Sequence, residues 1–263
     1  ATFSNFEPRF SLSYLLDDDT SIKMSYNRMV QYLHLLSNTA SPTPLDIWTP
    51  SGRYIQPQQG DQVSFGYANS LIQEDYSLET EVFYKDIDNF VVYADVAGTE
   101  DWQGYDEVVQ PVNGESASLH GLELSWVKAF DNGFLMSANG TFSSSDATTL
   151  LDGETFETSL PNQSDTVGNL TLGYENNLVS LRLTMTYKSE NLEEIDGDML
   201  RMEEDHHQLD FSGKYYINDD MLIYFNGINL SDEPYYHYFD QRNRNAQYEE
   251  YGRTFELGFT WQM

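Results

Sequence analysis

LTLGYENNLVSLRLTMTYK, residues 170 to 188, reads as two strands and the turn between them. Leu170, Leu172 and Tyr174 occupy alternate positions. After Glu175, Asn176 and Asn177, the residues Val179, Leu181, Leu183, Met185 and Tyr187 alternate with Ser180, Arg182, Thr184, Thr186 and Lys188. Successive side chains of an extended chain point to opposite sides, so each segment has one apolar and one polar face. A short Asn-rich break between two such runs has the composition of a tight turn.

The same period of two recurs at residues 9–16, 22–27, 63–67, 78–85, 122–126, 134–142, 209–215 and 222–230, whereas helical periodicity is scarce. It returns in the ending YGRTFELGFTWQM, residues 251–263, where Phe255, Leu257, Phe259, Trp261 and Met263 share a face. Eleven strands are predicted in all. Their connections alternate in length. DDDT, QED, DNG, ENN and NDD are short, while residues 37–60, 95–117, 143–166, 190–206 and 236–249 are long. In an antiparallel meander this parity puts every long connection at one end, the pattern of an outer-membrane barrel with short periplasmic turns and long extracellular loops. A soluble secreted β-sandwich binding protein is the alternative, and nothing in that fold requires such sorting.

No apolar run is long enough for a membrane helix, but a membrane strand needs only about 9–11 residues with one apolar face. The first twenty residues lack the basic start and apolar middle of a signal peptide. The formal net charge of −30 argues against nucleic acid as a partner, since a phosphate backbone calls for a basic footprint. The absence of Cys removes disulfides and thiolate chemistry. No Ser/His/Asp arrangement or phosphate-cradling loop stands out, and no enzyme is expected. Closed bacterial barrels use an even strand number, so eleven strands suggest part of a longer or split protein.

NGINLSDEPYY (residues 226–236), the loop QRNRNAQ and YEEYGRTFELGFTW (residues 248–261) resemble the close of a TonB-dependent outer-membrane receptor. NFEPRFSLSY and GLELSW support the likeness. The resemblance implies an all-β, antiparallel up-and-down transmembrane barrel of about 22 strands, of which residues 1–263 supply the C-terminal half. The plug domain and N-terminal strands are absent from this sequence. It further implies the outer membrane of a Gram-negative bacterium and TonB-energised nutrient uptake, with ligand held by extracellular loops and the plug. Implied partners are membrane lipid and lipopolysaccharide, the remaining barrel strands and plug, the TonB complex through the plug, and a surface lipoprotein. The apolar face of residues 255–263 would meet lipid on a barrel-closing and targeting strand. A passive porin-like or adhesive barrel is the other membrane reading.

Three groups are candidate sites. EEIDGDMLRMEEDHH, residues 193–207, gathers seven carboxylates and two His, and Asp196, Asp198, His206 and His207 are its metal-capable residues. It lacks the frame of a calcium loop and reads as a solvated loop, with divalent cations as the one cofactor class it could attract. Trp48, Arg53 and Tyr54 in the first long connection, with Trp102 and Tyr105 in the second, are ligand-contact candidates or loop packing. Arg242, Arg244 and Arg253 read as an ion-pair network with Asp240, Glu249 and Glu250. Acidic loops disfavour polyanions, leaving neutral glycans, peptides and metal chelates open.

Overall fold

The computed structural model describes residues 2–36, 47–71, 75–95, 109–151, 154–196 and 199–261. Among them are twenty strands and no helix. β1 (Arg9–Leu15) and β2 (Thr20–Gln31) form the first hairpin, and β3 (Leu33–Leu36) and β4 (Ile47–Pro50) form a second beyond its far end. β5 (Gln58–Leu71) pairs with β6 (Tyr76–Asp88), after which β7 (Val91–Asp95) and β8 (Val109–Asn113) pair with each other. β9 (Ser116–Ala129) pairs with β10 (Phe134–Leu151), and β11 (Glu154–Thr158) folds back on the end of β10. β12 (Thr166–Glu175) and β13 (Val179–Lys188) are the two strands read from residues 170–188. β14 (Asn191–Asp196) and β15 (Met199–Glu203) lead to β16 (His206–Asn218) and β17 (Met221–Ile228). β18 (Tyr235–Phe239), β19 (Asn245–Glu249) and β20 (Thr254–Trp261) end the chain's described strands.

One antiparallel sheet runs β1-β2-β5-β6-β9-β10-β12-β13-β16-β17-β20, so each wall strand pairs with the next wall strand along the chain. These eleven strands match the eleven predicted ones in order. Register carries the apolar positions from strand to strand. Leu12 lies opposite Met24, Met24 opposite Phe65, Phe65 opposite Val82, Val82 opposite Leu122, and Leu122 opposite Phe142. Met136, Leu172, Leu183 and Phe211 continue the stripe, and Ile223 meets Phe259 near its end. The other face is polar and bonded across strands. Ser25 meets Ser64 at 2.8 Å, Asn169 donates to Asn139 at 3.0 Å, and Asn226 donates to Glu256 at 2.8 Å.

The apolar face is uncovered. Among the described residues forty large hydrophobics are exposed and seven hydrophobics are buried, the reverse of a sandwich, whose two sheets cover one another. The chain exposes 17033 Å², against roughly 12,000 Å² for a water-soluble monomer of this mass. The small buried cluster of Ile87, Phe90, Ala117 and Ala147, with Leu160 against it, gathers where the long connections meet the wall. On the polar face two aromatic rings lie over glycines of the facing strand. A Cβ on Gly121 would meet the Phe142 carbonyl oxygen at 2.6 Å and the Phe83 ring at 2.8 Å, and one on Gly258 would meet the Tyr224 ring at 2.1 Å.

The long connections differ from their reading as loops. β3 and β4, and β7 and β8, are hairpins, while β14-β15-β18-β19 is a four-stranded sheet built from two different connections. These strands stand outside the apolar band, so no one-sided pattern marks them. β20 also opens at Thr254 rather than Tyr251, because Gly252 takes a left-handed conformation with φ of 69°. Among the described residues β1 pairs only with β2 and β20 only with β17, leaving the wall open at both sides.

Candidate functional site

Strand alternation places Lys188, His206 and Gln208 on the polar face, at the end of the wall where the long connections emerge. Lys188 Nζ reaches Glu203 of β15 at 2.5 Å, so the small sheet continues that face outward. Cross-strand pairing of Glu203 with His237, and of His237 with Gln247, adds Arg201, Tyr235 and Glu249 to the same side. The His206 ring stacks on Tyr235 at 4.4 Å, and Tyr251 meets Tyr235 edge-on at 5.8 Å. Gln208, Ile228, Tyr235, Glu249, Tyr251 and Thr254 are among the residues lining a cavity of about 420 Å³ there.

The segment that runs beside this cavity is fixed by one buried side chain. Asn229 accepts the Glu233 amide at 2.9 Å and the Ser231 hydroxyl at 3.2 Å, and donates to the carbonyls of Glu233 and Gly252. Its own backbone N–H donates to Asp210 at 2.8 Å. The Asn-Leu-Ser-Asp-Glu-Pro stretch is thus a hydrogen-bonded clamp that turns the chain from the wall into the outer sheet.

The cavity carries negative charge. The Tyr251 hydroxyl and then the Gln247 amide donate to Glu249 and hold its carboxyl below the ordinary range. The same bond pushes the Tyr251 phenol up. Behind them Arg201 donates to Gln247 at 2.7 Å and pairs through Nε with Glu193 at 2.8 Å. His237 Nδ1 lies 2.8 Å from the same Glu193 oxygen. Glu193 reaches both because β14 is bulged between Leu192 and Glu194, which re-aims the extra side chain. Burial works against the Glu203 carboxylate, but hydrogen bonds from Lys188 and Asn191 outweigh it and keep the group below its usual range. Burial, with donation to Glu190, raises the Tyr238 phenol.

Deeper on the polar face, Glu81 stands directly opposite Glu123, in a row with Lys23 and Gly66, around a second cavity of about 270 Å³.

The sequence-predicted residues are distributed differently. Trp48 lies exposed on β4, and the Arg53 guanidinium sits 5.9 Å above the exposed Tyr54 ring; none of the three lines the 420 Å³ cavity. Trp102, Tyr105, Asp198 and Met263 lie outside the described residues, and Asp196 ends β14. His206 is buried against Tyr235, whereas His207 faces the other way and pairs with Glu233 at 3.2 Å. Among the described residues no three His, Asp or Glu are grouped to hold a metal ion. The three arginines do form ion pairs, with partly different partners: Arg242 with Glu204, Arg244 with Asp240 at 2.7 Å, and Arg253 with Asp232 at 3.7 Å. Phe255, Leu257, Phe259 and Trp261 share the exposed apolar face of β20. Sequence reading missed the Glu193, Arg201, His237, Gln247 and Glu249 network, whose strands carry no one-sided pattern.

Comparison with known proteins places this architecture. The family described as TonB dependent receptor-like, beta-barrel matches residues 1–230. No curated protein matches the chain in sequence. Among solved structures, the copper transporter OprC aligns with a TM-score of 0.69 at 14% identity, covering 98% of this chain and 39% of its own. The ferric yersiniabactin uptake receptor FyuA from Yersinia pestis gives 0.68 at 16%, covering 97% and 37%. The ferric-catecholate import receptor Fiu from K12 E. coli gives 0.67 at 17%, covering 97% and 34%. The chain therefore spans 34% to 39% of the length of these three proteins. Its eleven-stranded open wall, one face apolar and one polar, belongs to the TonB-dependent receptor β-barrel family.

Proposed function

We propose that this chain is the C-terminal barrel portion of an outer-membrane receptor that imports a scarce nutrient with energy supplied through TonB. The observation that carries the reading is the continuous polar face, which runs along the wall and rises into the outer sheet to end in the 420 Å³ cavity. A ligand arriving from outside meets that end first and the interior of the barrel next. The apolar face is solvated by lipid, with lipopolysaccharide around the outer end in a Gram-negative cell. Further strands pair with the open edges of β1 and β20, because an unpaired edge in hydrocarbon costs several kcal/mol per unsatisfied group. A plug inside the completed barrel couples ligand binding to TonB.

The neighbours are named for copper, ferric yersiniabactin and ferric catecholate, which supports a metal or small chelate as the class of nutrient. Trp48, Arg53, Tyr54, Trp102 and Tyr105 belong to the outer connections and form a second set of ligand contacts in this reading.

The test is growth of a strain lacking the complete receptor, with and without complementation, in media limited for one nutrient at a time and in backgrounds with and without TonB. A defect on one nutrient that loss of TonB reproduces is expected. A growth advantage from the receptor that persists without TonB would overturn the reading and indicate a passive pore.

A further inference from the structure

We infer that the cavity lined by Tyr235, Glu249 and Tyr251 receives the cationic end of a ligand, an alkylated ammonium group seated in the corner of the two rings beside the carboxylate. The inference rests on the receptor reading above and adds to it the charge of what is recognised. Three features of the cavity carry it.

The rings come first. Tyr235 and Tyr251 meet edge to face at 85° with centroids 5.8 Å apart, so the two ring planes stand at a right angle, and both rings are exposed. His206 stacks on Tyr235 at an interplanar angle of 16° and fixes that ring. The face of a phenol ring is the negative end of its quadrupole and attracts a cation placed over it.

Charge comes second. Both donors to Glu249, the Tyr251 hydroxyl and the Gln247 amide, are neutral, so they orient the carboxylate without cancelling its charge. Among the described residues no Lys or Arg lines the cavity. Arg253 turns to the Leu230 carbonyl and Asp232, and Arg201 to Glu193 and Gln247. The net charge of −30 adds a field that concentrates cations and repels anionic chelates.

The third feature separates an ammonium from a sugar. A sugar ring is recognised through many directional hydrogen bonds, and the carboxylate and the Asn229 amide here are already engaged by protein groups. Each Glu249 oxygen accepts one protein donor, and the Asn229 amide is bonded at both its oxygen and its nitrogen. Ring faces and an oriented charge remain, and both are satisfied by a cation that brings no hydrogen-bond donors.

The experiment is a saturation-transfer NMR titration of the complete receptor in detergent with tetramethylammonium, beside equal concentrations of neutral tert-butanol, glucose and citrate. Tetramethylammonium is expected to bind, and to weaken as sodium chloride is raised from about 50 to 500 mM. Glu249→Gln should weaken it at least tenfold. Tyr235→Ala should do the same, while Tyr235→Phe, which keeps the ring, should stay within about threefold. Retention of the slow-migrating unheated form on gels shows that each variant is folded. Binding of glucose or citrate as tight as that of tetramethylammonium, or an unchanged affinity in folded Glu249→Gln, would overturn the inference. TonB-dependent growth with no ammonium binding would remove this inference alone; growth support that ignores TonB would remove the transport reading and leave the cavity chemistry standing.

Discussion

A single oxygen of Glu193 meets both the Arg201 guanidinium and the His237 imidazole, in a sheet where Arg201 is buried. Removing a partner from such a site leaves polar groups without the bonds that offset their desolvation. Glu193→Ala is expected to destabilise the outer sheet by on the order of 2 kcal/mol, read as faster hydrogen exchange in residues 199–203 and 235–239 with the wall strands unchanged. His34 gives a pH-dependent counterpart. It is 3% exposed, its Nε2 lies 3.0 Å from the Ser51 hydroxyl, and burial lowers its pKa. The unfolded hairpin therefore takes up the proton at higher pH than the folded one. Its stabilisation is complete above the ordinary histidine value of about 6.5 and declines as pH falls through and below it. Protection factors in β3 and β4, which divide out the intrinsic pH dependence of amide exchange, should fall between pH 7.5 and 5, and His34→Asn should flatten that dependence. Little at this scale was legible in the sequence. Glu193 and Gln247 are far apart in the chain, and the bulge at Glu193 breaks the alternation that would have assigned its face.

The wall strands, their order and their faces were legible, for a physical reason. A wall between lipid and a wet interior imposes opposite solvents on alternate residues, so β13 shows its period of two without any partner in view. β14, β15, β18 and β19 have no such contrast, and β15 pairs with β18 across more than thirty residues, as Arg201 does with Phe239. The two-solvent reading predicts an asymmetry between adjacent positions. Leu183→Lys, on the exposed apolar face, should cost about 2–4 kcal/mol if it sits near the bilayer midplane, whereas Thr184→Lys on the polar face should be tolerated. Urea midpoints of the complete receptor refolded into vesicles measure the difference. Glycines under aromatic rings provide a second contrast. A methyl at Gly121 meets the Phe142 backbone carbonyl as well as the Phe83 ring, while the three atoms nearest one at Gly258 all belong to the Tyr224 side chain, which can swing away. Gly121→Ala is expected to be the more damaging, by roughly 1–3 kcal/mol.

At the scale of the whole molecule, the open edges and the uncovered apolar face act together. Expressed alone, these 263 residues are expected to give aggregates or mixed oligomers in vesicles rather than one heat-modifiable monomer, which gel electrophoresis with and without heating would show. The order of the wall has a kinetic side as well. Because every wall strand docks on the one just before it in the chain, the sheet can lengthen by a succession of local closures, and doubling a connection adds only about 0.6 kcal/mol to each. In a C-terminal barrel portion, joining the free side of β20 to the first strand of the barrel is the one wall pairing that must wait for a distant segment. Ring closure is then the slow step of assembly, and a mutation that weakens the free side of β20 should lengthen the life of the unclosed intermediate more than an equal insult placed mid-wall.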